Sequence, residues 1–179
     1  SLQLIDNGWS LKHIHRLILE SKAYRSIREP RRLEAEAIRD NALAISGLLD
    51  ETMYGPGTLN ENMTRRSIYF FIKRSKLVPI MQLFDWPDSL TSMGKRSVTT
   101  TPSQALSFIN DPNIRNMAKA FAKRLKESEN PVKLSYRIAY GREPTNIEKT
   151  NGINFLKQQT ASYSGNKERA LIDYCGAIM

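Results

Sequence analysis

The segment PNIRNMAKAFAKRL, residues 112–125, constrains the fold more than any other stretch of the chain. Ile114, Met117, Ala118, Phe121, Ala122 and Leu125 fall at i, i+3, i+4, i+7, i+8 and i+11. That spacing gathers them on one face of an α-helix. Asp111 and Pro112 stand where an N-cap and a first helical residue belong. A helix with a single apolar stripe is stable only when the stripe is buried against another element. The rest of the chain must therefore supply partners for this helix.

Most of the remaining sequence has the same period and the same punctuation. Ser10 can cap a helix carrying Leu11, Ile14, Leu17 and Ile18, with Trp9 placed to staple its entry. RRLEAEAIRDNALAISGLLD predicts a second helix, with Leu33, Ala37, Ile38, Ala42, Ile45, Leu48 and Leu49 facing a core. In TTTPSQALSFINDP, Thr101 and Gln104 are spaced as a capping box, with Pro102 between them at the first helical position. Ala105, Leu106, Phe108 and Ile109 are the apolar face expected there. The threonines thus read as punctuation rather than as a hydroxyl cluster for catalysis. Asn130-Pro131 opens another helix, closed by Gly141. Thr145 and Glu148 form a second box, for a helix through Ile147, Phe155 and Leu156, and SGNKERALIDYCGAIM starts the last.

Between residues 51 and 100 the periodicity fails. Gly55, Pro56 and Gly57 force an irregular loop. RRSIYFFIKR has strand-like composition without an evident partner, so it is expected to be extended or briefly helical. VPIMQLFDWPDS predicts one helical turn started by Pro79 and stopped before Pro87. The fold class is therefore mainly α: an irregular multi-helix domain with long loops and at most one or two short strands. Residues 1–110 form a helical core region containing the irregular 51–100 segment. Residues 111–179 form a C-terminal helical region of the same domain.

Composition narrows the function classes. Cys175 is the only cysteine, which excludes an internal disulfide, a CxxCH haem attachment and a cysteine-based zinc site. No metal site and no cofactor are implied by the residues present. No apolar run approaches the ~20 residues of a membrane-spanning helix. The net charge of +9 is spread over distant clusters, RSIREPRR, TRRSIYFFIKRSK, GKR and KAFAKRLK. Sequence-specific nucleic-acid binding is not expected from scattered charge without a binding motif. No GxGxxG, Walker loop, nucleophile elbow or HExxH occurs.

Four groups of residues could carry chemistry. His13 and His15, the only histidines, point about 200° apart on a helix and cannot share a metal in the i, i+4 manner. His15 lies nearer the apolar stripe and is the candidate ligand or general base, although a satisfied, partly buried imidazole is the simpler reading. Asp85 and Asp88 flank Trp86, offering two carboxylates and an apolar or sugar-stacking wall. The simpler reading is a turn whose aspartate bonds nearby amides. Arg65 and Arg66, with Lys73, Arg74 and Lys76, border Tyr69, Phe70 and Phe71. That combination suits a single-stranded nucleic-acid platform, or equally a buried element with charged ends. Glu34, Glu36, Arg39 and Asp40 are expected to pair locally or with arginines elsewhere in the fold.

Five stretches together carry a family resemblance: GWSLKHIHRLILESKAYR, LEAEAIRDNALAISGLLD, MYGPGTLNENMTRRSIYFFIKRSKLVPIMQLFDWPDSLTS, TTTPSQALSFINDP and YGREPTNIE. They resemble the C-terminal domain of unknown function of planctomycete-type secreted proteins. Such domains usually lie downstream of a c-type-cytochrome-like domain and a second uncharacterised domain. The resemblance implies export to the periplasm or cell surface, with other domains of the same polypeptide as partners. It brings no catalytic residues. The functional expectation is a binding or scaffolding module; the alternatives are an enzyme, hydrolase or redox, acting on extracellular polymers such as polysaccharide, and weak nucleic-acid binding.

The ends and one junction add three expectations. SLQLIDNG reads as the tail of a helix, and ERALIDYCGAIM stops on an apolar residue in mid-helix, so both ends read as cuts in a longer chain. Leu2, Leu4 and Ile5, and at the other end Leu171, Tyr174 and Ile178, should then seek cover. The link between AYRS and IREPRR is shorter than the resemblance implies, which predicts a missing connection at Ser26–Ile27.

Overall fold

A computed structural model of the chain describes residues 2–26, 31–73, 75–87 and 92–179. The expected mainly α class holds: 60% of the described residues are helical, and no sheet forms among them. Two compact units divide at Arg31/Arg32. The predicted break at Ser26–Ile27 falls outside the described residues, because Ile27 is not among them.

The N-terminal unit holds three short helices: α1 (Leu2–Asp6), α2 (Leu11–Glu20) and α3 (Lys22–Arg25). Ser10 caps α2 as expected, its hydroxyl accepting from the His13 amide at 3.3 Å. The staple does not form. Trp9 has φ +61° and is 69% exposed, so its ring is not buried against the helix as a staple would be. The histidines are also reversed from expectation, since His13 is half-buried and His15 exposed. His13 Nε2 lies 3.3 Å from Gln3 Oε1, across the α1–α2 corner.

The larger unit contains α4 (Ala35–Ser46), α5 (Pro79–Leu83), α6 (Pro102–Asn110), α7 (Pro112–Leu125), α8 (Pro131–Tyr140), α9 (Asn146–Ser162) and α10 (Lys167–Ile178). The predicted stripe of α7 is buried in full, from Ile114 to Leu125. Asp111 caps it, accepting from the Asn113 and Ile114 amides at 2.7 and 3.3 Å. One side of α7 packs on Ala42 and Leu43 of α4; its far end packs with Cys175 of α10. Helix α10 then carries Tyr174 into a cluster with Val132 and Tyr136 of α8. The core is thus handed from helix to helix. The C-terminal apolar face is covered by these neighbours, against the expectation that it would lack cover: Tyr174 is buried and Leu171 and Ile178 are partly buried.

Three other apolar faces differ from the sequence reading. Helix α4 starts at Ala35 and ends at Gly47, which adopts φ +77°. Its buried stripe is Ala35, Arg39, Ala42, Leu43 and Ser46, while Leu33 and Leu48 lie beyond its ends and are exposed. On α6 the buried residue is Gln104, with Phe108 half-buried one turn later; Leu106 and Ile109 face solvent at 53% and 70% exposure. On α9, Ile147, in the first turn, is 74% exposed. The box at that turn forms as expected, Glu148 accepting from the Thr145 amide at 2.8 Å and bidentately from Arg142.

The irregular segment is fastened to α4 by a buried arginine. Arg39 is 3% exposed. Its guanidinium donates to the carbonyls of Met63 and, at 3.0 Å, Arg65, and to Ser67 Oγ at 3.2 Å. The neighbouring Asp40 accepts from the Ser67 amide and hydroxyl at 2.8 and 2.7 Å. Phe70 lies under the guanidinium, 4.7 Å from its carbon. RRSIYFFIKR is accordingly both things expected of it: a 3-10 turn at Ser67–Tyr69 between isolated bridges of Arg65 to Asp50 and Phe70 to Thr58.

Two substitutions test this packing. Gly152 of α9 is buried, and a Cβ there would lie 3.0 Å from Val132 Cγ1 and 3.2 Å from the Tyr174 hydroxyl. Alanine would gain about 1 kcal/mol of helix propensity. Overpacking against two buried side chains costs about 1–3 kcal/mol and should win. Gly152→Ala is expected to lower stability in urea by about 1 kcal/mol, and a stabilised variant would refute the close contact. Arg39→Ala should cost about 3 kcal/mol, because it strands buried carbonyls. Arg39→Lys should not restore them, since an ammonium lacks the planar fork. Limited proteolysis should then cut within 50–70; an unchanged pattern with full stability would remove Arg39 from this role.

Candidate functional site

The aspartate singled out by the sequence sits at the end of α5. Phe84 closes that helix, and Asp85 follows with φ +61°, a conformation aspartate tolerates better than most residues. The turn aims its carboxylate back at Arg32, with which it makes an ion pair. Thr99 completes the grip, its amide donating to Oδ2 at 2.8 Å and its hydroxyl reaching both oxygens at 2.9 Å. Arg32 in turn donates to the Thr99 carbonyl at 2.7 Å and to that of Phe84 at 3.3 Å.

Gln104 extends this node. It is 4% exposed and uses its whole amide: Nε2 donates to the Leu83 carbonyl at 3.0 Å and to Thr99 Oγ1 at 3.3 Å. Its Oε1 accepts from the Thr101 amide at 3.2 Å, the expected half of the capping box, while the Gln104 amide donates to the Thr101 carbonyl at 3.1 Å. Thr99, read with its neighbours as punctuation, is thus the link between Asp85 and α6. A small hollow of about 330 Å³ opens beside the node, lined by Arg32, Phe84, Thr101, Gln104 and Phe108.

The electrostatics of the node are those of a clamp. The Thr99 amide, with the Thr99 hydroxyl and Arg32, holds the Asp85 carboxyl below its ordinary range. A general acid needs the opposite shift. Trp86 is half-buried and packs on the Phe70–Met81–Phe84 cluster, so its ring helps form the core. Asp88, the second carboxylate of the suggested pair, lies outside the described residues. His15 belongs to the N-terminal unit, on the exposed side of α2.

The basic and aromatic run is also occupied. Arg65 stacks on Tyr69, 3.6 Å from the ring centre, and donates to the carbonyls of Thr52 and Tyr54. Phe70 is buried, so the run offers no row of free rings for bases. Arg66 is exposed, 4.0 Å from Asp40, and Arg74 lies outside the described residues. Glu34 and Glu36 do meet a distant arginine: Arg96 lies 2.9 Å from each. Among the described residues no three His, Cys, Asp or Glu side chains gather as a metal site would need. Burial raises the Cys175 thiol to about 12, so it is no nucleophile.

A larger feature went unread in the sequence. A cleft of about 1140 Å³ lies among α7, α8, α9 and α10. Its floor is apolar, reaching Leu125 and Val132, with Leu156, Leu171 and Ile172 on its sides. Its rim carries Lys119, Lys123, Lys126, Lys157 and Lys167. Lys126 lies 3.8 Å from Glu168; the other four have no carboxylate within 4.0 Å among the described residues. The i, i+4, i+7 spacing of Lys119, Lys123 and Lys126 was visible as one helical side. Lys157 and Lys167 come from elsewhere in the chain, and only the packing of α9 and α10 brings them to the same rim.

Asp85→Asn tests the clamp. A depressed carboxyl pKa stabilises the fold above the ordinary aspartate value of about 3.9, and the contribution is lost as pH falls through the depressed value. Asparagine keeps the turn but has no charge to lose. Urea titrations from about pH 6 to about pH 2.5 should therefore show a variant less stable at neutral pH with a flatter acid limb. Identical acid limbs would mean that Asp85 is not held this way.

Comparison with curated proteins and with solved structures gave no match. A family model does match, over residues 26–156, from the end of α3 to the middle of α9. By that match the chain belongs to PSD1, the family described as a protein of unknown function (DUF1553).

Proposed function

We propose that the chain is a binding or scaffolding module of an exported multi-domain protein, working beside a c-type-cytochrome-like domain at the periplasm or cell surface. The observation that carries the binding role is the cleft among α7 to α10, where an apolar floor meets a lysine rim. Exposed apolar surface ringed by polar groups is the signature of a docking site. The resemblance of the sequence motifs to secreted planctomycete-type proteins supports the address and the neighbour. No helix among the described residues is long and apolar enough to cross a membrane.

The rival reading, an enzyme acting on extracellular polysaccharide, would use Asp85 with Trp86. It gains nothing from a carboxylate gripped by Arg32 and Thr99 or from an indole packed in the core. Weak nucleic-acid binding would rest on general charge alone.

The test is association. The chain, mixed with a separately produced cytochrome-like domain of the same polypeptide, should bind saturably in surface plasmon resonance and release no reducing sugar from polysaccharide. Absence of association would overturn the scaffolding role, and sugar release abolished by Asp85→Asn would establish the rival.

A further inference from the structure

The cleft has dimensions as well as composition. On α7 it runs from Lys119 to Lys126, and on α9 from Ile153 to Ala161. At 1.5 Å per residue those spans are about 11 and about 12 Å. A volume of about 1140 Å³ over that length gives a cross-section on the order of 95 Å², or a width of about 11 Å. An α-helix with its side chains is about 10–12 Å wide, and two turns are about 11 Å long. A single extended acyl chain would leave most of this space unfilled. The walls are helical as well, because α10 lines one side with Leu171 and Ile172 and packs against both α7 and α9. An added helix would complete the layer by the ridge-and-groove packing that already joins these three.

Charge selects among helices. The rim bears five lysines against Glu129 and Glu168, and Glu168 is already paired with Lys126. A helix with acidic residues flanking its apolar stripe meets the rim with opposite sign. A second copy of this chain does not, since it carries +9 overall.

We propose that the cleft among α7, α8, α9 and α10 is the docking groove for about two turns of an acidic amphipathic helix, supplied by the neighbouring domain of the same polypeptide. This rests on the scaffolding reading and names the element that docks. Apolar residues at i, i+3, i+4 and i+7 of the incoming helix contact Leu156, Leu171 and Ile172. Glutamates or aspartates on its flanks face Lys123 and Lys157 from opposite walls. Burial of the stripe supplies the affinity, and the rim sets polarity and partner choice.

The experiment uses the whole 179-residue chain and synthetic peptides of about four turns, long enough to hold some helix in solution. One peptide has a leucine stripe with glutamate flanks, a second has the same stripe with lysine flanks, and a third has the first composition scrambled. Fluorescence anisotropy should show saturable binding of the acidic peptide alone. Its affinity should fall at least about tenfold in Lys123→Glu/Lys157→Glu, and also when salt rises from about 0.05 M to about 0.5 M. Both lysines are exposed, and circular dichroism confirms that the variant is folded. Equal binding of the scrambled or lysine peptide would overturn the proposal, as would saturable binding of dodecanoate in the cleft without peptide binding. Association with the cytochrome-like domain that survives Lys123→Glu/Lys157→Glu unchanged would overturn the groove while leaving the scaffolding role intact. Peptide binding without that association would support the groove while overturning the scaffolding role beside the cytochrome-like domain.

Discussion

The buried guanidinium of Arg39 is the interaction on which the larger unit depends. Between Gly47 and Pro79 the chain contains no α-helix among the described residues, yet it runs against the core and carries Met63 and Phe70 into it. A segment without its own ladder leaves carbonyls to be satisfied by something else. Arg39 supplies donors to Met63, Arg65 and Ser67 from a position on the inner stripe of α4. Burial opposes its charge, pulling its pKa down, while Asp40 beside it pushes the other way. The arrangement is worthwhile because five fixed donors can serve several carbonyls that no apolar side chain could. Once the segment is fastened, Phe70 and Met63 close one end of the core, and α5 with its Asp85 turn has a surface to rest on.

That dependence explains what was legible in the sequence and what was not. Helices with their own period and caps were readable, because the cause is local. The Asp111 cap, the Thr145–Glu148 box and the whole buried face of α7 stand where the residues indicate. The faces of α4 and α6 were misread for one shared reason: a polar side chain with long-range partners takes the buried position. Arg39 and Gln104 are inside, while Leu106 and Ile109 are outside. Period alone ranks leucine above glutamine for a core position. It cannot see that Gln104 finds the Leu83 carbonyl twenty-one residues back along the chain. Trp9 failed differently, since the residue adopts a left-handed backbone and leaves its side chain largely exposed.

The candidate site divides along the same line. Asp85 and Trp86 were noticed for their chemistry, and their turn is indeed a node, but its partners Arg32 and Thr99 lie far away in sequence. With them in place the node joins the start of α4, the end of α5 and the cap of α6. The cleft was invisible for the opposite reason. Its parts are ordinary helix residues, and its identity arises only from which helix faces converge.

The charge of +9 takes on a location once the pairs are drawn. Arginines do the internal work: Arg32, Arg96, Arg115, Arg137 and Arg142 each hold a carboxylate, and Arg65 holds backbone carbonyls. The planar fork suits such fixed, several-point contacts. Lysine, a strongly hydrated point charge on a flexible stem, is left for the surface. Glu34, Glu36, Asp85, Glu148 and Asp173 form their ion pairs with arginines alone, whereas four of the five lysines around one apolar cleft have no carboxylate within 4.0 Å among the described residues. A distribution that looked scattered along the chain therefore becomes a directed field in space. Close to an apolar floor, where water is partly displaced, that field is screened less than on an open surface. In the proposed docking, the sign of the incoming helix would follow from this local excess of lysines over carboxylates.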